Sequence, residues 1–367
     1  MKTFYFANYK NINNDYLRSI LQALENYNYN FIYGPSLFSK NKNYLKNKKN
    51  RILFLLSLPY ILIKAKKEIK KYNNNEGGEL IIICSTWIEK VVYMLLNKKG
   101  QFKLQWWFLP QENIGCKIFK KRIIKNLKKY KDDKERKIKL IVFHKQEQEK
   151  IEKLYKQKAT HFPFCIKKTN ESHQESIFDN LSKSKKLNFF HRYFTVALLV
   201  DLNRENYIET IIKNTPELLK AIPNTQLLII SPSTQKENLK WLVKKLAIEK
   251  NVWFLNKKEP IKNWLENSNL FLIANKKIKL PQYYYLSLAI KESLAIITLK
   301  EQNINYLFKE KKLSLESSSD INTIISSFVS LYRDPYLRKN LSENANYLAN
   351  NNLNLEKQLK RLQEILK

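Results

Sequence analysis

Glycine is scarce in this 367-residue chain. There are five, Gly34, Gly77, Gly78, Gly100 and Gly115, and none follows position 115. Glycine lets a backbone approach a phosphate closely, or take φ > 0 in a tight loop, without a Cβ clash. A phosphate cradle of bare main chain is therefore not expected beyond Gly115. An anionic ligand there must be held by side chains, helix N-termini or non-glycine turns. Cysteine is rarer still: Cys84, Cys116 and Cys165 are odd in number and far apart. That argues against a disulfide framework and for a reduced, cytoplasmic chain. The four histidines, His144, His161, His173 and His191, form no pair at metal-ligand spacing, so no metal site is expected.

Long apolar runs are missing too. The first ten residues, MKTFYFANYK, lack a run of signal-peptide length. The longest apolar stretch, residues 52–63, contains Pro59 and runs into the lysines of "KAKKEIKK". It is too short to span a bilayer and reads as a buried helix or one lying on a membrane surface. Acidic residues are in deficit, 33 against 67 Lys and Arg, for a net charge of +34. Such a surface attracts polyanions, whether it arose by selection or by drift toward an AT-rich composition.

What is present is a regular alternation of apolar runs and amphipathic stretches. In the first half "TFYFAN", "NFIYG", "GGELIIICS", "FKLQWWFLP", "KIKLIVFHK" and "ATHFPFCI" read as strands. Between them lie helical segments such as "TWIEKVVYMLLNKKG" and "QEQEKIEKLYKQK". The second half repeats the rhythm with "FTVALLVDL", "TQLLIIS", "NVWFLN", "NLFLIAN" and "LAIITL" as strands. Pro216 marks a break or restart in "ENYIETIIKNTPELLKAI", a helix is expected over "YYYLSLAIKES", and Asp320 is placed to cap a helix over 321–332. Strands alternating with helices predict α/β architecture with mostly parallel sheets covered on both faces. The polar stretch rich in Ser, Lys and Asn is the natural linker. The expected organisation is two Rossmann-like domains, 1–170 and 189–345, a linker at 171–188 and a C-terminal helical region at 346–367.

Five segments of the second half carry a resemblance: "FTVALLVDL", "LLKAIPNTQLLIIS", "LVKKLAIEKNVWFLN", "IKNWLENSNLFLIAN" and "YYYLSLAIKESLAIITL". Their order resembles the donor domain of GT-B glycosyltransferases, specifically glycosyltransferase family 4 (group 1). "LYRDPYLRKNLSENANYLAN" is similar to the family's closing helices, and "IKLIVFHKQEQEKIEKLYKQKATHFPFCI" to the end of its acceptor domain. The resemblance implies two Rossmann-like domains closing around a nucleotide sugar. It implies transfer of the sugar to a glycan or lipid-linked acceptor with retention of configuration, and no metal or cofactor. It implies ligands at the carboxyl ends of parallel strands, with basic groups and a helix N-terminus stabilising the leaving diphosphate.

Carried onto this chain, the resemblance points to Arg204 and Lys276 as diphosphate ligands, each following an apolar strand. Ser231 stands where a glycine normally follows "LLII". Asn256 lies where main chain approaches the base. Asn275 is placed to hydrogen-bond a sugar hydroxyl or cap its own turn. Tyr284, in the run Tyr283–Tyr284–Tyr285, is placed to stack on a ring while a neighbour packs inward. Ser287 is a polar group of the same segment, and Glu292 its nearest carboxylate. The sequence departs from the family where two glutamates, eight residues apart, flank a glycine-containing loop: Leu280 and Leu288 stand there, with Pro281 and Tyr283 at the glycine positions. No acceptor-side catalytic histidine is evident, since "WWFLPQEN" offers Pro110 and Gln111. His144 and His161 end or begin strands and read either as cleft groups or as structural hydrogen-bonding residues. No catalytic residue can be assigned.

Three readings follow. One is an active transferase. A second is a silent homologue acting as a scaffold or glycan-binding protein, favoured by Leu280 and Leu288. A third, nucleic-acid binding, has the charge but no helix-turn-helix, zinc-finger or RNA-recognition signature. The basic stretch 117–137 combines an apolar helical face (Ile118, Phe119, Ile123, Leu127, Tyr130) with lysines. It reads either as a packed helix or as one facing an anionic membrane from the cytoplasmic side.

Overall fold

The computed structural model describes residues 2–6, 20–22, 24–25, 29–33, 60–67, 69–70, 79–84, 87–97, 102–108, 138–143, 145–166, 193–202, 206–231, 237–255, 261–278, 280–300, 302, 304–308 and 314–366. It divides into two compact units, Met1–Phe164 with Lys360–Lys367, and Cys165–Leu359. The expected linker at 171–188 and the basic stretch 117–137 lie outside the described residues.

The first unit holds a six-stranded sheet of β1 (Lys2–Phe6), β2 (Tyr29–Tyr33), β3 (Glu79–Cys84), β4 (Lys103–Phe108), β5 (Ile138–Val142) and β6 (Ala159–His161). Its order is β2-β1-β3-β4-β5-β6, and every pairing is parallel. Its helices include α1 (Trp87–Leu96) and α2 (Lys145–Tyr155). One face is filled by Tyr5, Ile82, Val92, Leu104, Trp106 and Leu140, all buried. The expected strand "ATHFPFCI" is shorter than its apolar run: only Ala159–His161 pairs with β5. Pro163 lacks an N–H to extend the ladder.

The second unit holds β7 (Phe194–Leu199), β8 (Thr225–Ile230), β9 (Val252–Leu255), β10 (Leu270–Ile273), β11 (Ala295–Leu299) and β12 (Leu315–Ser317), in the order β12-β11-β10-β7-β8-β9 and again wholly parallel. The helices are α3 (Ile208–Lys213), α4 (Thr215–Ala221), α5 (Glu237–Lys245), α6 (Ile261–Glu266), α7 (Leu280–Lys291), α8 (Ile321–Arg333), α9 (Pro335–Asn350) and the start of α10 (Leu355–Leu366), whose residues from Lys360 on belong to the first unit. The central strands β7 and β8 are buried at every position, as expected for strands covered on both faces. Each fully buried Leu or Ile there contributes roughly 1.5–3 kcal/mol.

Local chemistry sets the helix boundaries. Asn214 closes α3 and opens α4, with Pro216 in the first turn of α4, where a missing N–H costs nothing. The Asp320 carboxylate caps α8 by accepting from Thr323 N at 3.1 Å. Asp334 does the same for α9 through Leu337 N at 2.8 Å. Glycine would ordinarily end such helices. Here Ala247 (φ 53°) and Ser293 (φ 57°) take the left-handed conformation instead. Each sits in a Schellman-type closure, with Ile248 N on Val243 O (3.2 Å) and Leu294 N on Ala289 O (3.0 Å).

Candidate functional site

The second unit's first strand in sequence, β7, lies beside its fourth, β10, so the strand order reverses between them. In open parallel sheets the crevice beyond the carboxyl ends at such a point is where ligands sit. Leu199 pairs with Ile273 in the last register of the two strands. Ala274 N then donates to Leu199 O at 2.8 Å and Val200 N to Ile230 O at 3.0 Å, which carries the ladder one residue further. The chain after β7 turns back over this point. Tyr207 N donates to Ala274 O at 2.8 Å, and Asn206 and Asn275 form an antiparallel bridge. The segments after Val200 and Ala274 therefore share one rim.

Asn275 organises that rim. Its Oδ1 accepts from Asp201 N at 2.7 Å and from Gln282 Nε2 at 2.8 Å, and its Nδ2 donates to Asp201 O at 3.1 Å. Gln302 extends the network: its Nε2 donates to Ile273 O (2.6 Å) and Asn275 O (2.9 Å), and its Oε1 accepts from Leu299 N (3.1 Å). Asn275, Gln282 and Gln302 are each about 1% exposed. Buried main-chain groups at strand ends must find partners, and the amides of Asn275 and Gln302 supply them, with Gln282 bonded to the Asn275 side chain. Neither glutamine was singled out from the sequence. The signal was available as a glutamine just beyond the apolar strand β11 and another at the start of the helix that follows β10, in a half-chain with no glycine.

The other sequence candidates distribute around this network. Arg204 and Asn256 lie outside the described residues. Ser231 follows β8 and is buried. Lys276, one residue beyond Asn275, is exposed at the rim. Tyr284 is half-buried between buried Tyr283 and Tyr285, and its ring meets that of Tyr285 edge-on at 5.4 Å. Ser287 Oγ donates to Tyr284 O at 2.6 Å, a back-bond that occupies its proton but leaves its oxygen able to accept. Glu292 is half-buried in the turn that ends α7. The helix expected over "YYYLSLAIKES" begins at Leu280. Positions 280 and 288 therefore lie in one continuous helix, with no loop between them.

In the first unit the strand order reverses between β1 and β3. The helix after β3, α1, carries Glu89 and Lys90 near its start, 0% and 3% exposed. Lys90 Nζ lies 3.8 Å from the centre of the Phe108 ring, a cation–π contact that offsets part of the desolvation cost. Burial raises the Tyr93 phenol well above its usual value, and Tyr5, Cys84 and Glu89 add to the effect. Sequence reasoning treated this helix as ordinary amphipathic packing and missed the buried pair. His161, at the carboxyl end of β6, has its pKa lowered to about 4, first by burial and then by Arg361 and Lys145. It is neutral near pH 7. His144 lies outside the described residues.

Among the described residues no three His, Cys, Asp or Glu side chains come together to hold a metal. No helix there is long and apolar enough to cross a membrane.

Two α/β units with wholly parallel six-stranded sheets constitute the GT-B fold. No family model matches the chain, and no curated protein matches it in sequence. Solved structures match its fold throughout. Sucrose-phosphate synthase from Thermosynechococcus elongatus aligns at TM-score 0.66 and 13% identity, covering 100% of this chain and 99% of that one. Anabaena Alr3699/HepE in complex with UDP-glucose aligns at TM-score 0.69 and 11% identity, with the same coverage. A glycosyltransferase from Rickettsia africae ESF-5 aligns at TM-score 0.65 and 14% identity, covering 100% and 99%.

Proposed function

We propose that this chain is a nucleotide-sugar-dependent glycosyltransferase of the family 4 (group 1) type, transferring a sugar with retention to a glycan or lipid-linked acceptor. In that reaction the bond from the anomeric carbon to the diphosphate breaks. The acceptor hydroxyl oxygen bonds to the same carbon, and its proton leaves with the diphosphate. The observation that carries the reading is the reversal point between β7 and β10, bordered by Ser231, Asn275 and Lys276, in a fold shared over its full length with a structure solved with UDP-glucose. Negative charge builds on the departing diphosphate, and cationic side chains stabilise it best where water is excluded. Lys276 and Arg204 take that role in a half-chain without glycine loops. Asn256 meets the base through main chain, and Tyr284 and Ser287 face the ring and its hydroxyls. On the acceptor side, Glu89 and Lys90 are buried charged groups near the start of the helix that follows β3. The basic stretch 117–137 is the natural contact with an anionic membrane surface, which would make the protein peripheral on the cytoplasmic face.

The test is release of nucleoside diphosphate from UDP-, GDP- and ADP-sugars, by wild type and by Lys276→Ala. Release that falls about tenfold in the variant, the loss of one charge-assisted contact worth roughly 1.4 kcal/mol, supports the assignment. No release from any donor contradicts it.

A second reading, a catalytically silent GT-B homologue that binds a glycan or a protein partner, is favoured by one specific arrangement. Leu280 and Leu288 occupy a single helix, and the Asn275 amide is already committed to Asp201 and Gln282. Nucleotide binding without turnover separates that reading from the first.

A further inference from the structure

The second unit contains a cavity of about 580 Å³ at the outer edge of its sheet, between the β11–β12 pair and α9. That volume falls within the range of small-molecule sites. It lies at the opposite flank of β11 from β10, away from the β7/β10 reversal point. Asn340 and Asn344, one helical turn apart on α9, both line it and are half-buried. Neither side-chain amide has a hydrogen-bond partner among the described residues. Asn305 also lines it, at 6% exposure. Its Nδ2 is spent on Leu299 O (2.9 Å) and Lys300 O (3.1 Å), while its Oδ1 is buried without a hydrogen-bond partner. An unsatisfied buried amide oxygen is destabilising, so a site that leaves one has a use for a donor.

The remaining lining narrows the ligand. Glu316 contributes an exposed carboxylate that accepts hydrogen bonds. Thr298 and Ser314 contribute hydroxyls 3.0 Å apart. Phe308 and Leu341 form apolar wall. In a chain with 67 Lys and Arg, none lines this cavity among the described residues. Amides that both donate and accept, a carboxylate acceptor and apolar wall suit a neutral polyhydroxylated ring.

We propose that the cavity formed by Asn305, Glu316, Asn340 and Asn344 is a binding site for a neutral sugar, separate from any nucleotide site on the rim. It holds one or two pyranose rings through amide and carboxylate hydrogen bonds.

The test titrates the full chain with methyl α-glucoside, maltose, N-acetylglucosamine and glucose 6-phosphate, by calorimetry and saturation-transfer NMR, with and without excess UDP. At least one neutral sugar should bind saturably and keep its affinity when UDP is present. Asn340→Leu/Asn344→Leu should weaken it at least tenfold. Glu316→Gln, on an exposed position that leaves folding intact, should weaken it about threefold, with the circular dichroism melt unchanged. The proposal is overturned if no neutral sugar binds, if UDP displaces it, if glucose 6-phosphate binds more tightly than the neutral sugars, or if variants that melt like wild type bind like wild type.

Discussion

Asn275 and Asp201 face each other across the carboxyl ends of β10 and β7, and a single side-chain amide satisfies both main-chain groups of Asp201, at 2.7 and 3.1 Å. The pair closes the reversal point with side-chain atoms where a glycine-rich protein would use bare main chain. Asn275→Ala leaves the Asp201 N–H, the Asp201 carbonyl and the Gln282 amide without their partner. At about 1–3 kcal/mol for each unsatisfied buried group, partly relieved by water, the expected loss is about 2–4 kcal/mol of unfolding free energy. Urea titration followed by circular dichroism reads it. A loss below about 0.5 kcal/mol would show that the network is not structural.

Gln302 makes a matching case just beyond the next strand, β11. Gln302→Leu keeps the volume but strands Ile273 O, Asn275 O and Leu299 N. The same measurement should show a loss of about 2–3 kcal/mol. The double variant with Asn275→Ala should fall short of additivity, because the two side chains share Asn275.

How much of this was legible in the sequence differs by level. The α/β class followed from apolar runs spaced by amphipathic ones, and β7 and β8 fall within the expected strands "FTVALLVDL" and "TQLLIIS", each ending short of them. Asp320 was readable as a cap because an acidic residue stood just before a periodic run. Pro216 was readable as a break for the reason that makes it a good first-turn residue. The three-residue strand β12, in a stretch of lysine and serine, had no periodicity to reveal it. Strand order is invisible to local pattern, so the adjacency of β7 and β10 had to come from the fold. Asn275 could be named as a rim residue. Its partners could not, because Asp201 and Gln282 are brought to it only by that adjacency and by the early start of α7.

Glycine scarcity carries its own prediction. Ala247 and Ser293 hold φ near 55°, a region that costs an L-residue roughly 1–2 kcal/mol. Ala247→Gly and Ser293→Gly relieve that cost and give back about 0.4–1 kcal/mol through the more flexible unfolded chain. Each should stabilise by about 0.5–1 kcal/mol in chemical denaturation. Destabilisation by either would show that the left-handed geometry is not what limits those turns.

The two helix caps give a control of opposite sign. Asp320→Ala and Asp334→Ala each remove an acceptor from an exposed N-terminal N–H. Each should cost about 1 kcal/mol, read by the same denaturation and independent of any ligand.

His161 ties stability to pH. Its folded pKa, about 4, lies below the ordinary 6.5. Between those values the unfolded chain binds a proton that the folded chain does not, so stability falls as pH drops from about 6.5 toward 4 and is flat above that window. His161→Gln should flatten this part of the profile. An NMR titration placing the imidazole near 6.5 in the folded protein would remove the basis for the effect.

The central claim is that the rim beyond β7 and β10 grips the diphosphate of a nucleotide sugar with side chains. Thermal unfolding with UDP, GDP, ADP and their sugars tests it most directly, because a ligand that binds only the folded state must stabilise it, by about 2.7 kcal/mol at a hundred times its Kd. The account predicts a saturable rise in Tm of several degrees with at least one nucleoside diphosphate sugar, reduced in Lys276→Ala. An unchanged Tm across the whole panel at millimolar ligand would contradict it.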